Sequence, residues 1–575
     1  MRLQPIYDIA EICSRQGVTN AIVCPGSRCA PLTLAFARHT DITCRTISDE
    51  RSACFVALGI AQQTISPVSV VCTSGSAAYN FAPAIAEAFF QEIPLLVFTA
   101  DRPAEWIDQW DGQTIRQNNI FGQHVKKAFT LPQEYEHPDS IWHITRIINE
   151  AIALSKEYPK GPVHINVPLR EPLYPSSEEK IRFSKFKKII EVTSPSSELS
   201  QKDKIALSKS LSKYTKILVV AGQRLPQETQ GKLVTAFCKK NKAALVGDVI
   251  SNLHSLPNTV RYADSFLGQC GDDVKVSLAP ELLITFGKSV ISKNLKLFLR
   301  HYQPREHWHV QPSGNSADTF QSLTHLIHCS PHHFLESLQT PEKTDSFEEQ
   351  KKENYVRLWQ AEENRTQRTM KNYFSENRFT EFHSLKVILQ SLPPRCNLHL
   401  SNSMSVRYAN FIGLTEKNKG VHVFANRGTS GIDGCTSTAV GHAISSEVPN
   451  ILITGDMAFF YDRNAFWHNY PLPNLHVVIL NNQGGLIFNI IDGPANLEEK
   501  NEYFVTQQKL TASGLAEEYG FEYFKVDSFK KMQAALKEFF VFDGKTKILE
   551  VISDQKTSKE IFEQFKNNLK KSYEA

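Results

Sequence analysis

The chain has 575 residues, 41% hydrophobic and 22% charged, which is the composition of an ordinary globular protein with length for roughly three or four domains. Its 64 Lys and Arg nearly cancel its 60 Asp and Glu, which argues against nucleic acid or a membrane surface as a partner of the whole chain and leaves small anions open. The eleven cysteines form no CxxC pair, and Cys24, Cys44 and Cys72 lie in or at the end of apolar runs, so they read as packed thiols in a reducing, cytoplasmic setting.

From the N-terminus, "MRLQPIYDIAEICSRQG" lacks the continuous apolar stretch of a signal peptide, and no later run approaches the length of a membrane span. Short Val-, Ile- and Leu-rich runs then end repeatedly in Gly, Ser, Asn or Asp and precede segments of helical spacing, the pattern of parallel βα units. The first set of strands is "NAIVCPG", "PVSVVCTSG", "IPLLVFTADRP" and "GPVHINVP", with helices such as "SAAYNFAPAIAEAFF" between them. A polar linker, "YPSSEEKIRFSKFKKIIEVTSPSSELSQKDK", leads to a second set, "TKILVVAGQ", "AALVGDVIS", "ELLITFGKS" and "EHWHVQPSG". A charged helical run, "EKTDSFEEQKKENYVRLWQAEENRTQRTMKNYF", separates that set from a third: "CNLHLSNSMS", "HVFANRGTSG", "NILITGDMA", "LHVVILNNQGG" and "KILEVISD". The fold class is therefore α/β, with three open parallel-sheet modules in succession and no fine internal repeat.

Ligands of open parallel sheets bind outside the carboxyl ends of the strands. Two such ends in the third set are polar corners, Gly455-Asp456 and Asn481-Asn482-Gln483-Gly484-Gly485. Asp456 offers a carboxylate, Asn482 a side-chain carbonyl and Gly484 a backbone carbonyl, a set of hard oxygens suited to Mg²⁺, while glycines let a phosphate approach the backbone. A lone Gly-Asp after a strand is commonly a turn with a capping Asp, but with the Asn-Asn corner one βα unit later the pair asks for a metal holding a diphosphate.

This pairing resembles the thiamine diphosphate motif, with Met457 where many members have Gly or Ser. The resemblance implies a glutamate from another module that hydrogen-bonds the aminopyrimidine ring, so that the cofactor's own imino form serves as base; "CRTISDERSACFVALGIA" supplies Glu50 at a helix start. The stretches "CPGSRCAPLTLAF", "SDERSACFVALGIA", "VCTSGSAAYNFAPAIAEA", "TADRPAEWID", "GQTIRQ", "ANRGTSGIDG" and "NNQGGLIF" resemble one branch of these enzymes, the 2-succinyl-5-enolpyruvyl-6-hydroxy-3-cyclohexene-1-carboxylate synthases of menaquinone synthesis. They run in order through the first and last modules, and the middle module matches weakly.

That resemblance implies a transferase that uses thiamine diphosphate with Mg²⁺ or Mn²⁺, decarboxylates 2-oxoglutarate and adds the succinyl carbanion equivalent to isochorismate. It implies a pyrimidine-binding domain at 1–180, a middle domain at 195–345 and a diphosphate- and metal-binding domain at 375–575. A homodimer or dimer of dimers with active sites shared between subunits is expected, without nucleic acid or integral membrane association. Both substrates are dicarboxylates, which arginine forks suit. Ser403, Arg407 and Arg427 are expected on the 2-oxoglutarate side and Ser27, Arg28, Arg102 and Gln113 toward isochorismate, with Lys293 as a weaker match that competes with Lys288 and Lys296. Glu50 is the catalytic candidate, and Asp456, Asn482 and Gly484 are the metal candidates. Pro25, Ser74, Gly455, Asn482 and Gly485 are carried over to the cofactor, Ile432 as the wedge beneath it, and Ile487 and Phe488 as its apolar wall.

Gly112 departs from the Asn that this branch often has before the Gln. The histidines of "EHWHV" and "HLIHCSPHHF" lack tetrahedral Cys/His spacing and read as strand alternation and a surface loop. The competing readings are an acetolactate-synthase-like carboligase, with fewer arginines and a flavin-associated middle module, and a silent nucleotide-binding scaffold.

Overall fold

The computed structural model describes residues 3–176, 179–185, 187–193, 198–226, 228–338, 346–376, 378–491 and 493–574. They pack as two compact units, one made of Met1–Pro195, Asn426–Glu447 and Ala458–Leu475, the other of Ser196–Ala425, Val448–Met457 and His476–Ala575.

The first unit is built on one parallel sheet of β1 (Asn20–Val23), β2 (Thr43–Thr46), β3 (Val68–Cys72), β4 (Leu95–Asp101), β5 (Ala128–Thr130) and β6 (Val163–Pro168), in the order β2-β1-β3-β4-β6-β5. β3, β4 and β6 are buried along their whole length, which is why they read as unbroken apolar runs. Ile6, Phe36 and Ile148, from three helices, share a core with Val71, Leu96 and Phe98 of the sheet. The expected helix from Ser76 is two, Ser76–Asn80 and Ala82–Gln91, because Pro83 opens a new first turn. The expected linker is a strap along this unit: Gln4 donates to the Arg182 carbonyl at 2.7 Å, Asp8 accepts from the Ser184 amide at 2.9 Å, and Asn149 accepts from the Ile190 amide at 2.7 Å.

The second unit holds two more parallel sheets. β7 (Ile217–Ala221), β8 (Ala244–Gly247), β9 (Thr259–Val260), β10 (Leu282–Phe286), β11 (Glu306–Gln311) and β12 (His325–His328) lie in the order β12-β11-β10-β7-β8-β9, the doubly wound arrangement of dinucleotide-binding folds. β13 (Arg395–Leu400), β14 (Gly420–Phe424), β15 (Asn450–Gly455), β16 (Leu475–Asn481), β17 (Glu522–Val526) and β18 (Lys547–Ile552) lie in the order β14-β13-β15-β16-β18-β17, the connectivity of the first sheet repeated.

The charged run separating the second and third sets is the helix Ser346–Tyr373, and it is more than a spacer: Tyr355, Trp359, Met370 and Tyr373 are buried in a core shared by both sheets. "HLIHCSPHHF" is not a surface loop. Its first four residues are the edge strand β12, and Ser330 caps the helix Pro331–Ser337 by accepting from the His333 amide at 3.1 Å. No helix among the described residues is long and apolar enough to cross a membrane.

Candidate active site

In the third sheet the chain passes from β13 to β14 on one side and to β15 on the other, so the carboxyl ends of β13 and β15 flank a crevice of the kind that receives ligands. Asp456 follows β15 directly and Asn482 follows β16. Both are buried. The Asp456 carboxylate accepts from the backbone amides of Gly484 and Met457 and, at 2.6 Å, from Gln508 Nε2; burial nevertheless pushes its pKa up to about 6. Asn482 Oδ1 accepts from Gln555 Nε2 at 3.1 Å, and Asn482 Nδ2 donates to Glu381 Oε1 at 2.7 Å. Gly484 has φ +155, and a Cβ there would stand 2.8 Å from the Val505 carbonyl, so this corner requires glycine. Of the three expected metal residues, Asp456 and Gly484 are joined by a hydrogen bond, and Asn482 is held separately by Gln555 and Glu381.

Glu381 was not among the sequence candidates. It is 1% exposed, its Oε2 has no hydrogen-bond partner among the described residues, and burial, with the Asp456 charge adding, raises its pKa to about 8 against the donation from Asn482. In the sequence it reads as a helix-start acid after Thr380, and only the fold puts it behind Asn482.

Beside this corner, Gly485 approaches Phe488, where a Cβ would meet the ring at 3.0 Å, while nothing lies within 4 Å of a Cβ built on Gly455. Ile487 and Phe488 are half-buried. After β13, Ser403 immediately precedes the helix Met404–Ile412 without a side-chain capping bond and has φ 72, a positive value rare outside glycine and concentrated at functional sites. Arg407 Nη1 donates back to the Ser403 carbonyl at 2.6 Å. Lys293 is exposed at the first turn of the helix Lys293–His301, Lys288 is exposed as well, and Lys296 donates to the Val290 carbonyl at 3.0 Å.

The first unit carries its candidates at the corresponding ends of its own sheet. Glu50 opens the helix Glu50–Thr64 behind Asp49, whose side chain accepts from the Ser52 amide at 3.0 Å. Glu50 is half-buried rather than enclosed, with Asn80 donating to Oε2 at 3.5 Å. Pro25 and Ser27 are exposed after β1, and the Ser27 hydroxyl lies 3.1 Å from that of Tyr174. Arg28 is 6% exposed; it donates to the Leu169 carbonyl at 2.9 Å and pairs with Glu171 at 3.3 Å. Burial and then the charge of Arg102 hold its pKa below the usual range. Arg102, after β4, pairs with Asp111 at 3.2 Å and donates to the Gly112 carbonyl at 3.0 Å. That internal contact uses the Gly112 backbone carbonyl. Gln113 is exposed with φ 56, its backbone 3.3 Å from where a Cβ on Gly75 would lie. The buried Ser74 and Thr73 hydroxyls have no partners among the described residues.

Arg427 and Ile432, both half-buried, stand on a loop of this unit that a second missed residue holds. Glu87, 1% exposed, accepts from the Gly428 amide at 2.7 Å and from the Thr429 amide and hydroxyl, each at 2.6 Å. A Cβ on Gly428 would collide with Glu87.

Residues 7–132 match the family described as thiamine pyrophosphate enzyme, N-terminal TPP binding domain; 185–400 match the middle domain of thiamine pyrophosphate enzymes; and 405–551 match their C-terminal TPP binding domain. A protein of Cytophaga hutchinsonii named 2-succinyl-5-enolpyruvyl-6-hydroxy-3-cyclohexene-1-carboxylate synthase is 44% identical over 99% of this chain and 100% of its own. Proteins of the same name from Flavobacterium johnsoniae and Bacteroides fragilis are 38% and 36% identical, over 95% and 98% of this chain and 95% and 99% of theirs. The chain belongs to the 2-succinyl-5-enolpyruvyl-6-hydroxy-3-cyclohexene-1-carboxylate synthase family.

Membership in the synthase family assigns the chain thiamine pyrophosphate chemistry, and the residues fit that group. The donor set at Asp456, Asn482 and Gly484 is all oxygen, the backbone at Gly455 is open, and the unpartnered Ser74 and Thr73 hydroxyls stand at the end of β3. Among the described residues no group of three or more His, Cys, Asp or Glu side chains is arranged to hold a metal. The His307 and His309 rings both contact the Thr285 hydroxyl at 2.8 Å, which accounts for that pair structurally.

Proposed function

We propose that this chain decarboxylates 2-oxoglutarate and adds the resulting succinyl carbanion equivalent to isochorismate, giving 2-succinyl-5-enolpyruvyl-6-hydroxy-3-cyclohexene-1-carboxylate and CO₂ in menaquinone synthesis. The observation that carries this reading is the pair of strand-end corners that offer the oxygens of Asp456, Asn482 and Gly484, in a chain that aligns end to end with synthases of that name. Thiamine diphosphate, when bound, supplies an acidic thiazolium carbon and the electron sink for decarboxylation. Asp456, Asn482 and the Gly484 carbonyl would hold Mg²⁺ or Mn²⁺, and Pro25, Ser74, Gly455, Gly485, Ile432, Ile487 and Phe488 would shape the rest of the cofactor site. Glu50 would hydrogen-bond the pyrimidine ring of that cofactor and serve as the proton donor to it. Arg407, Arg427 and Ser403 hold 2-oxoglutarate. Arg28, Arg102, Ser27 and Gln113 hold isochorismate, with Lys293 reaching it from the middle domain.

The division into domains at 1–180, 195–345 and 375–575 is supported by one six-stranded sheet falling in each. A homodimer with shared sites is proposed from the family resemblance, which implies that the pyrimidine-side glutamate and the metal corner come together from two chains. A cytoplasmic setting accords with eleven free cysteines.

The test is to incubate the protein with thiamine diphosphate, Mg²⁺, 2-oxoglutarate and isochorismate and detect the product by mass. Asp456→Ala or Asn482→Ala should abolish metal-dependent cofactor binding, since losing one oxygen ligand leaves the diphosphate poorly neutralised. Calorimetry that finds unchanged cofactor affinity in both variants counts against the assignment.

A further inference from the structure

We propose that Glu381 is a positioning residue of the metal corner: its carboxylate fixes the side-chain amide of Asn482 so that Oδ1, and not Nδ2, is offered to the cation. The inference rests on the reading of Asn482 as a metal ligand. An asparagine serves a hard cation only through its carbonyl oxygen, and the amide group presents two donors at its other end. The two orientations have nearly the same shape, so packing does not choose between them; hydrogen bonding does.

Here the choice is made on one side by a group that accepts. Glu381 Oε1 lies 2.7 Å from Asn482 Nδ2. With a cation on Asn482 favouring the ionised form of Glu381, turning the amide over would press Oδ1 against a carboxylate oxygen at hydrogen-bond distance in a buried setting, two acceptors with no proton between them. On the other side Oδ1 accepts from Gln555 Nε2 at 3.1 Å, a neutral donor on a flexible side chain. Glu381 has no such freedom, being 1% exposed in the first turn of the helix Glu381–Gln390, which Thr380 caps by accepting from the His383 amide. Its Oε2 is buried with no hydrogen-bond partner among the described residues. A buried carboxylate that makes a single hydrogen bond is costly on its own, and a cation held by the amide it orients offsets that cost electrostatically. Carboxylates standing behind metal ligands in this way act by fixing ligand orientation and charge.

Mn²⁺ binding in the presence of thiamine diphosphate, read from the electron paramagnetic resonance signal of free Mn²⁺, tests the proposal on the full chain. Glu381→Met removes the acceptor at similar length; Glu381→Gln keeps an oxygen that accepts from Nδ2. Mn²⁺ affinity should fall about 10- to 100-fold in Glu381→Met, with the metal-free variant still unfolding cooperatively, and Glu381→Gln should recover most of the loss. A folded Glu381→Met that binds Mn²⁺ like the wild type overturns the proposal. Should Glu381→Met not fold, Glu381→Ala takes its place: a loss of about tenfold or more supports the proposal, and affinity like that of the wild type overturns it. Wild-type protein that binds no Mn²⁺ would instead defeat the reading of Asn482 as a ligand.

Discussion

At the residue scale the arginines divide by what already engages them. Arg28 and Arg102 are anchored to backbone carbonyls and to Glu171 and Asp111, so each guanidinium is fixed before any substrate arrives. Arg407 is tied to the carbonyl of the strained Ser403. If the proposed roles hold, Arg28→Ala and Arg102→Ala should leave CO₂ release from 2-oxoglutarate alone nearly intact while raising the KM for isochorismate. Each lost charge-assisted contact is worth about 1.5 to 3 kcal/mol, roughly ten- to a hundredfold. Arg407→Ala should lose CO₂ release itself. The opposite pattern in a CO₂-release assay, intact in Arg407→Ala and lost in Arg28→Ala, would mean that the two halves of the site are reversed. These residues were legible because they stand in short motifs at strand ends. Glu87 and Glu381 were not: each is one acid on a helix, and its work is done on Gly428 and Asn482, hundreds and about a hundred positions away, through contacts that no local pattern encodes.

At the element scale, thirteen strands were readable as apolar runs, and the five missed ones, β2, β5, β9, β12 and β17, all lie at sheet edges. An edge strand has one open hydrogen-bonding side, stays short and carries polar residues; β2 is Thr-Cys-Arg-Thr and β12 is His-Leu-Ile-His, neither fully buried. Only β14 among the edges was found, since Val421, Val423 and Phe424 are buried. Helix contacts were equally silent. The helix that begins with Glu50 packs backbone to backbone on the helix Cys435–Ala443: a Cβ on Gly59 would lie 2.2 Å from the Thr438 carbonyl, and one on Gly441 2.2 Å from that of Val56. Alanine gains about 1 kcal/mol of helix propensity over glycine. At 2.2 Å from backbone the helices must separate, and overpacking costs typically about 1 to 3 kcal/mol or more, so packing wins. Gly59→Ala and Gly441→Ala should each lower the urea midpoint, and the pair together should be worse than either. An unchanged or raised midpoint for Gly59→Ala would show that the contact is not tight in solution.

At the scale of the whole molecule, the first and third sheets repeat one connectivity and the second uses another, a relation that no sequence repeat announces because core positions tolerate many apolar residues as long as burial is kept. The repeat gives the first and third sheets corresponding strand ends, with the candidates Glu50, Arg28 and Arg102 on one and Asp456 and Asn482 on the other, and these ends belong to different compact units. If two chains share sites about a two-fold axis, Glu50 of one serves the metal corner of its partner. Glu50→Gln should bind thiamine diphosphate yet fail to activate it, because an amide cannot pass the proton, and Asp456→Ala should fail to hold it. Mixed in equal amounts and allowed to exchange, these two inactive proteins form mixed dimers in which both lesions fall in one site and the other site is intact. Half the dimers are then mixed and each has one working site of two, so activity should return to about a quarter of the wild-type level. Differently tagged protomers that co-purify, proving exchange, yet regain no activity would place each site within a single chain.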